Sequence, residues 1–290
     1  MILSETFQLN NGIAIPKIAF GTWQIENDSV TGAVKAALSV GYRHIDTAAA
    51  YENECGVGKA LRESGLRRED VFITTKIPAD VKTYEGAKSV IAASLKNLGT
   101  PYIDLMLIHA PKPWEELFGG SEKTYYEENL AVWKAMEEAV AAGQIRSIGV
   151  SNFEVSDLQN LIDHAEIKPA VNQIRIHIGH TPAEVISYCK ANDIVVMAFS
   201  PNATGKLLGH PVVTEIAEKY QVSVPQLSIR YDYQLGLIPL PRSTNPIHIA
   251  ENKNIDFVIS DADMNCCHKL RKFRVWISKQ LKTALQCRTL

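Results

Sequence analysis

Four residues of different chemistry recur along the chain at intervals that suggest one rim. Asp46 ends an apolar run, and Lys76 follows thirty residues later at the end of the next. His109 ends a third run, thirty-three residues further on, and Tyr51 lies five residues past Asp46. Taken singly, Asp46 reads as a helix cap or turn residue, Lys76 as a solvated lysine, His109 as a core histidine and Tyr51 as a loop aromatic. Taken together, they suit proton transfer to a carbonyl oxygen. A free tyrosine, with a pKa of about 10, is a weak acid at neutral pH. An adjacent ammonium favours the phenolate and lowers that pKa. Lys76 supplies the ammonium, Asp46 holds it charged and oriented, and His109 hydrogen-bonds the carbonyl oxygen or shares the proton. The pattern predicts general acid catalysis by a tuned phenol, worth about 10²–10⁴-fold. Nothing has metal-ligand spacing, so no metal is expected, and there is no Gly-x-Ser-x-Gly elbow.

One rim requires that these runs be neighbouring strands. Short apolar, β-branched runs lie at 18–21, 44–46, 71–75, 103–108, 145–150, 170–174, 194–199 and 237–240. Helical patterns alternate with them at 29–38, 53–64, 85–98, 126–142, 155–164, 182–191, 211–220, 225–234 and 246–252. Buried strands separated by helices imply right-handed βαβ units in a parallel sheet. Eight such units in about 250 residues fit an α/β fold, the (β/α)8 TIM barrel. The competing doubly wound sheet usually carries G-x-G-x-x-G after its first strand, which is absent here. Residues 7–15 contain Asn11-Gly12 and read as an N-terminal β-hairpin that caps the barrel. The stretches 111–124 and 200–210 are long for connections and follow strands, where barrel enzymes place their sites.

Composition narrows the function classes. The 290 residues are 46% hydrophobic and 21% charged, which excludes a disordered or collagen-like chain. Net charge is −2, so no global basic field recruits nucleic acid or anionic membrane. Seven of the 30 basic residues and none of the 32 acids lie at 264–290, so residues 1–263 carry −9. The organisation expected is a barrel at 1–263 followed by a divergent basic tail at 264–290, read either as an amphipathic helix to about 285 or as a poorly ordered end. Three of five cysteines fall in that tail, and the odd count argues against a disulfide framework. No apolar run approaches the roughly 20 residues of a membrane span, and the N-terminus does not read as a signal peptide. A soluble, cytoplasmic, monomeric protein is expected.

Gly41-Tyr42-Arg43-His44-Ile45-Asp46-Thr47-Ala48, with Tyr51, Asn53, Glu54 and Gly58, resembles the first signature of the aldo-keto reductase family. Ile148-Gly149-Val150-Ser151-Asn152-Phe153 and Val171-Asn172-Gln173 resemble its central segments. The likeness, to small bacterial-type members similar to 2,5-diketo-gluconate reductase, runs from about residue 5 to about 263. It implies a barrel that reduces aldehydes and ketones with NADPH, or with NADH, on a tetrad of Asp46, Tyr51, Lys76 and His109. The resemblance also gives Ser151, Asn152 and Gln173 to the nicotinamide carboxamide and Phe199 to stacking on its ring. Ser200 and the loop 202–207 would approach the pyrophosphate. Arg242, Ser243, Thr244, Asn245 and His248 would hold a 2′-phosphate, Glu251 and Asn252 would face adenine, and Gly21, Thr22 and Trp23 would flank the cofactor. Trp23, Ala49, Ala110, Trp114 and Phe118 would bound the small-molecule carbonyl substrate, with small Ala49, Ala50 and Ala110 leaving a roomy mouth. His248 stands where the family usually has arginine, and Arg175 where it usually has an acid. A second possibility is a cofactor-binding, redox-sensing regulatory subunit without turnover.

Overall fold

The structure, a computed structural model, describes residues 2–270. Strands β1 (Thr6–Gln8) and β2 (Ala14–Pro16) form the expected antiparallel hairpin. Eight parallel strands follow: β3 (Phe20–Gly21), β4 (His44–Asp46), β5 (Phe72–Ile77), β6 (Ile103–Ile108), β7 (Ile145–Ser151), β8 (Val171–Arg175), β9 (Val195–Phe199) and β10 (Ile238–Leu240). From β4 to β10, each pairs with its predecessor in sequence. The Ala19 amide donates to the Pro239 carbonyl at 3.1 Å and the Gly21 amide to Pro241 at 3.0 Å, which closes the ring. The helices are α1 (Asn27–Ser39), α2 (Glu54–Glu63), α3 (Tyr84–Leu98), α4 (Trp114–Gly119), α5 (Tyr126–Ala141), α6 (Val155–His164), α7 (Ala183–Ala191), α8 (Pro211–Lys219), α9 (Val224–Gln234), α10 (Pro246–Glu251) and α11 (Asp261–Lys269).

Two hydrophobic layers follow from the strand period of two. Met106 and Ile108 of β6 face the helices, in a core shared with Val132 and Trp133 of α5. Leu105 and Leu107 face inward, where they meet Phe72, Met197, Ile238 and Leu240. Leu9 and Ile15 of the hairpin join this inner layer and plug the bottom of the barrel. Gly149 is required inside, because a Cβ there would lie 2.6 Å from the Val171 carbonyl oxygen.

The same alternation builds the top of the barrel. On β5, Phe72, Thr74 and Lys76 share the inner face. His44 of β4 donates to or accepts from Thr74 at 2.8 Å and meets the Phe72 ring edge-on. Asp46, two residues beyond His44, therefore reaches the level of Lys76. The long stretch 111–124 is not a plain loop, since α4 occupies its centre. Helix α11 runs across residue 263, and its Cys267 packs among Leu207, Tyr231 and Ile259. The expected continuation of a helix to about 285 lies outside the described residues beyond 270.

Candidate active site

The inner faces of β4, β5 and β8 bring three side chains into one hydrogen-bonded unit. The Lys76 ammonium donates to Asp46 Oδ1 at 2.7 Å and to the Thr47 carbonyl at 2.8 Å. The Gln173 amide donates to Asp46 Oδ2 at 2.7 Å. Both carboxylate oxygens are thus engaged, and Lys76 has no exposure to solvent. A short 3₁₀ turn, Ala49–Tyr51, then Glu52 at φ 57°, bends the chain after β4 back over the barrel. This places the Tyr51 hydroxyl 3.4 Å from the Lys76 nitrogen. Asn53 secures the turn by accepting from Thr47 at 2.7 Å and donating to the carbonyls of Thr22 and Ile25.

His109 directly follows β6 and approaches from the other side, its ring edge-on to Tyr51 with centroids 5.6 Å apart. The Asn152 amide donates to the His109 carbonyl at 3.0 Å. Beyond it, Lys82 donates to the Ala110 carbonyl at 2.9 Å and to Asn129, whose amide donates to the Pro111 carbonyl. The backbone on both sides of His109 is therefore pinned. Trp114 packs edge-on against the His109 ring at 5.1 Å. Phe118, one helical turn on along α4, stacks on Trp114 at 5.6 Å.

The electrostatics correct one expectation. Lys76 does pull the Tyr51 pKa down, but burial pushes it up more strongly, with Asp46 adding to the rise, so Tyr51 sits above its ordinary value. The phenol keeps its proton at neutral pH. Burial also opposes the Lys76 ammonium, yet Asp46 and then Tyr51 outweigh it, and Lys76 stays charged. Burial raises Asp46 against the opposing pull of Lys76. His109 is pushed well below 6.5 by burial and by the Lys76 charge, so it is neutral. Its Nδ1 is buried without a partner among the described residues.

Above this group opens a cavity of about 1060 Å³, at the upper end of ligand-pocket sizes. Its wall includes Gly21, Trp23, Asp46, Tyr51 and His109 of the expected site. Trp114, Phe118, Ser151, Asn152, Gln173, Phe199 and Ser200 also line it, as do Arg242, Ser243, His248, Glu251 and Asn252. Other expected residues stand back from the wall. Thr22 is fully buried and donates from its hydroxyl to the Asp46 carbonyl. Thr244 is exposed and off the wall, and Asn245 caps α10 by accepting from the Ile247 amide at 3.0 Å. Ala49 is off the wall as well, although Ala50 is on it. Ala110 is fully buried behind His109, so it leaves no room at the mouth. Trp114 fills that space instead, because α4 folds it back onto the histidine.

Gln24, Glu154, His180, Leu208 and Ser223 also line the cavity and were not anticipated. Ser223-x-x-Gln226 was readable as a capping box at the start of α9, and it forms. That motif says where a helix starts, not what its end faces. Leu208 is 54% exposed in the connection after β9, an apolar residue out of place on a polar loop.

The chain's own donors suit a nicotinamide dinucleotide. Gln173 and Asn152 spend their amide nitrogens on Asp46 and His109, which leaves both amide oxygens free of donors among the described residues. Phe199 offers an aromatic face and Arg242 a guanidinium at the mouth. In this structure Arg242 donates to the carbonyls of Trp23 and Gln24, both at 2.9 Å. Among the described residues no group of acids, histidines and cysteines could hold a metal ion.

The Aldo/keto reductase family model matches residues 17–272. A glyoxal reductase of Bacillus subtilis (strain 168) is 42% identical over 272 residues, covering 93% of this chain and 94% of that protein. The crystal structure of an aldo/keto reductase from Brucella melitensis superposes with a TM-score of 0.83 at 41% identity, covering 92% of this chain and 99% of the other. A Bombyx mori aldo-keto reductase solved in complex with NADP gives 0.82 at 34% identity, covering 92% and 93%. With a barrel closed by eight parallel strands and a family match over most of its length, the chain belongs to the aldo/keto reductase family.

Proposed function

We propose that this protein reduces aldehydes and ketones to alcohols with NADPH, Tyr51 acting as the general acid. The observation that carries this reading is the Tyr51 hydroxyl held 3.4 Å from the buried Lys76 nitrogen and its ring beside that of His109, at the floor of a large cavity. The nicotinamide supplies the hydride when bound. His109 donates from Nε2 to the carbonyl oxygen and orients it toward the Tyr51 hydroxyl. Tyr51 gives its proton to that oxygen as negative charge develops there. The phenolate left behind lies beside the Lys76 ammonium, which Asp46 and Thr47 hold in place. Preorganised charge of this kind stabilises the transition state without rearrangement.

Ser151, Asn152, Gln173 and Phe199 would position the nicotinamide, and Arg242 with His248 would receive the 2′-phosphate. The guanidinium fork suits a phosphate, and Arg242 would exchange its carbonyl partners for it. Trp23, Trp114 and Phe118 give the substrate end an aromatic wall that favours small or moderately apolar carbonyl compounds. The glyoxal reductase relative makes short dicarbonyls the first compounds to try. The cavity is built within one chain, which supports action as a monomer. All four described cysteines are free, which supports a reducing, cytoplasmic setting. No helix among the described residues is long and apolar enough to cross a membrane.

The test is oxidation of NADPH and NADH by the purified protein with a panel of short aldehydes, dicarbonyls and keto acids. Turnover with NADPH, and slower turnover with NADH, is expected. Tight NADPH binding without turnover of any carbonyl would overturn the reading.

A further inference from the structure

The cavity wall holds two guanidinium groups, those of Arg175 and Arg242. Arg242 is occupied by two backbone carbonyls. Among the described residues the Arg175 guanidinium has neither a carboxylate nor a carbonyl partner, and it lies over the ring of Phe199, 5.6 Å from guanidinium carbon to centroid. A half-buried arginine on the cavity wall with no carboxylate beside it among the described residues has its donors available for an anionic ligand.

Its position in the barrel says which anion would complete it. Arg175 is the last residue of β8, two residues beyond Gln173 and on the same face. Its register partner on β9 is Phe199, so the two side chains rise together from neighbouring strands. The chain then turns at Ser200, with φ 58°, into the connection that carries Lys206. Through Phe199, Arg175 therefore stands beside the connection that begins at Ser200.

We infer that Arg175 binds the diphosphate bridge of the nicotinamide cofactor, with the Phe199 ring as the platform that aims its guanidinium. This rests on the proposed use of NADPH and assigns a residue to it. A diphosphate offers closely spaced anionic oxygens that match the planar donor fork. Because NADPH and NADH share this bridge, Arg175 strengthens both and does not discriminate between them. Discrimination stays with Arg242 and His248.

The test is titration of the intact protein with NADPH, NADH and 2′-AMP, followed by protein fluorescence. Arg175→Gln should weaken NADPH and NADH alike by roughly 10- to 30-fold, the range of one charge-assisted phosphate contact. Arg175→Lys, which keeps the charge and loses the fork, should recover part of that loss and fall between Arg175→Gln and wild type. Binding of 2′-AMP, which has the 2′-phosphate and lacks the diphosphate, should not change, and this also shows that the variant is folded. Unchanged affinity for both dinucleotides would overturn the inference. So would a loss confined to NADPH, or a loss seen solely as a raised KM for carboxylate-bearing aldehydes. If wild type itself bound neither dinucleotide, the proposed function would fail, a result plainly different from a failure of Arg175.

Discussion

The floor and the mouth of the cavity are built on opposite plans. At the floor, Asp46, Lys76 and Gln173 stand on strands, and their hydrogen bonds are made within the protein. Strand register and the inward-outward alternation fix their positions. At the mouth, Arg242, His248 and Glu251 are exposed and follow the last barrel strand on a loop and a six-residue helix. The difference separates two tasks. Proton transfer needs charges fixed in a medium that cannot reorganise. Cofactor preference needs side chains that can exchange partners when a phosphate arrives. Changes at the floor should therefore cost both catalysis and folding, and changes at the mouth should move binding constants alone.

Lys76→Met should show the largest effect. It leaves the Asp46 carboxylate buried without its cation, which costs about 3–5 kcal/mol of stability, measurable by urea unfolding. Turnover should fall by roughly 10³-fold or more as the phenolate loses its ammonium. His109→Gln should lower kcat by about 10²-fold, with NADPH affinity unchanged in a fluorescence titration. Arg242→Met tests the mouth. It should weaken NADPH by about tenfold, near 1.4 kcal/mol, move NADH little, and leave the urea midpoint close to wild type. A large stability loss there would erase the contrast between the two ends.

A second buried acid in the same barrel sharpens it from another side. Asp232 on α9 is fully buried, and neither carboxylate oxygen has a partner. Burial pushes its pKa well above 3.8, where Asp46 has Lys76 to oppose the same push. The folded chain thus holds a proton on Asp232 that the unfolded chain releases above its own pKa. Stability falls as pH rises from there toward the folded pKa. Asp232→Asn should gain about 1–2 kcal/mol on wild type at neutral pH, and that gain should vanish near pH 4 in paired unfolding curves. The smallest expected effect is a null one. With His109 neutral and Tyr51 protonated, kcat for carbonyl reduction should be flat from about pH 6 to 8. A break in that window, absent in His109→Gln, would show an imidazole titrating where the structure keeps it neutral.

The barrel was legible in the sequence because its strands and helices differ in period, and apolar runs are visible without tertiary knowledge. The meeting of Asp46, Tyr51, Lys76 and His109 was legible because one βα unit has a nearly constant length, which converts spacing in sequence into adjacency on a rim. What could not be read depends on where backbone turns. Ala110 follows His109 directly, yet the Lys82–Asn129 clamp on its carbonyl keeps it buried behind the histidine. Trp114 is four residues away and returns to the site because α4 turns it back. The acidity of Tyr51 was misjudged for a related reason. A lysine nearby argues for a lowered pKa, but the depth that brings lysine and phenol together also removes water from the phenolate. Arg175 stood out as a departure from the family, and only its pairing with Phe199 gave it a direction.

The central claim is that Tyr51 supplies the proton. The direct measurement is single-turnover oxidation of bound NADPH by a short dicarbonyl in wild type and Tyr51→Phe, with NADPH affinity determined alongside. Phenylalanine keeps the ring against His109 and removes the hydroxyl. The account predicts a rate lower by roughly 10³-fold with the NADPH dissociation constant unchanged. A Tyr51→Phe rate within about threefold of wild type would contradict it.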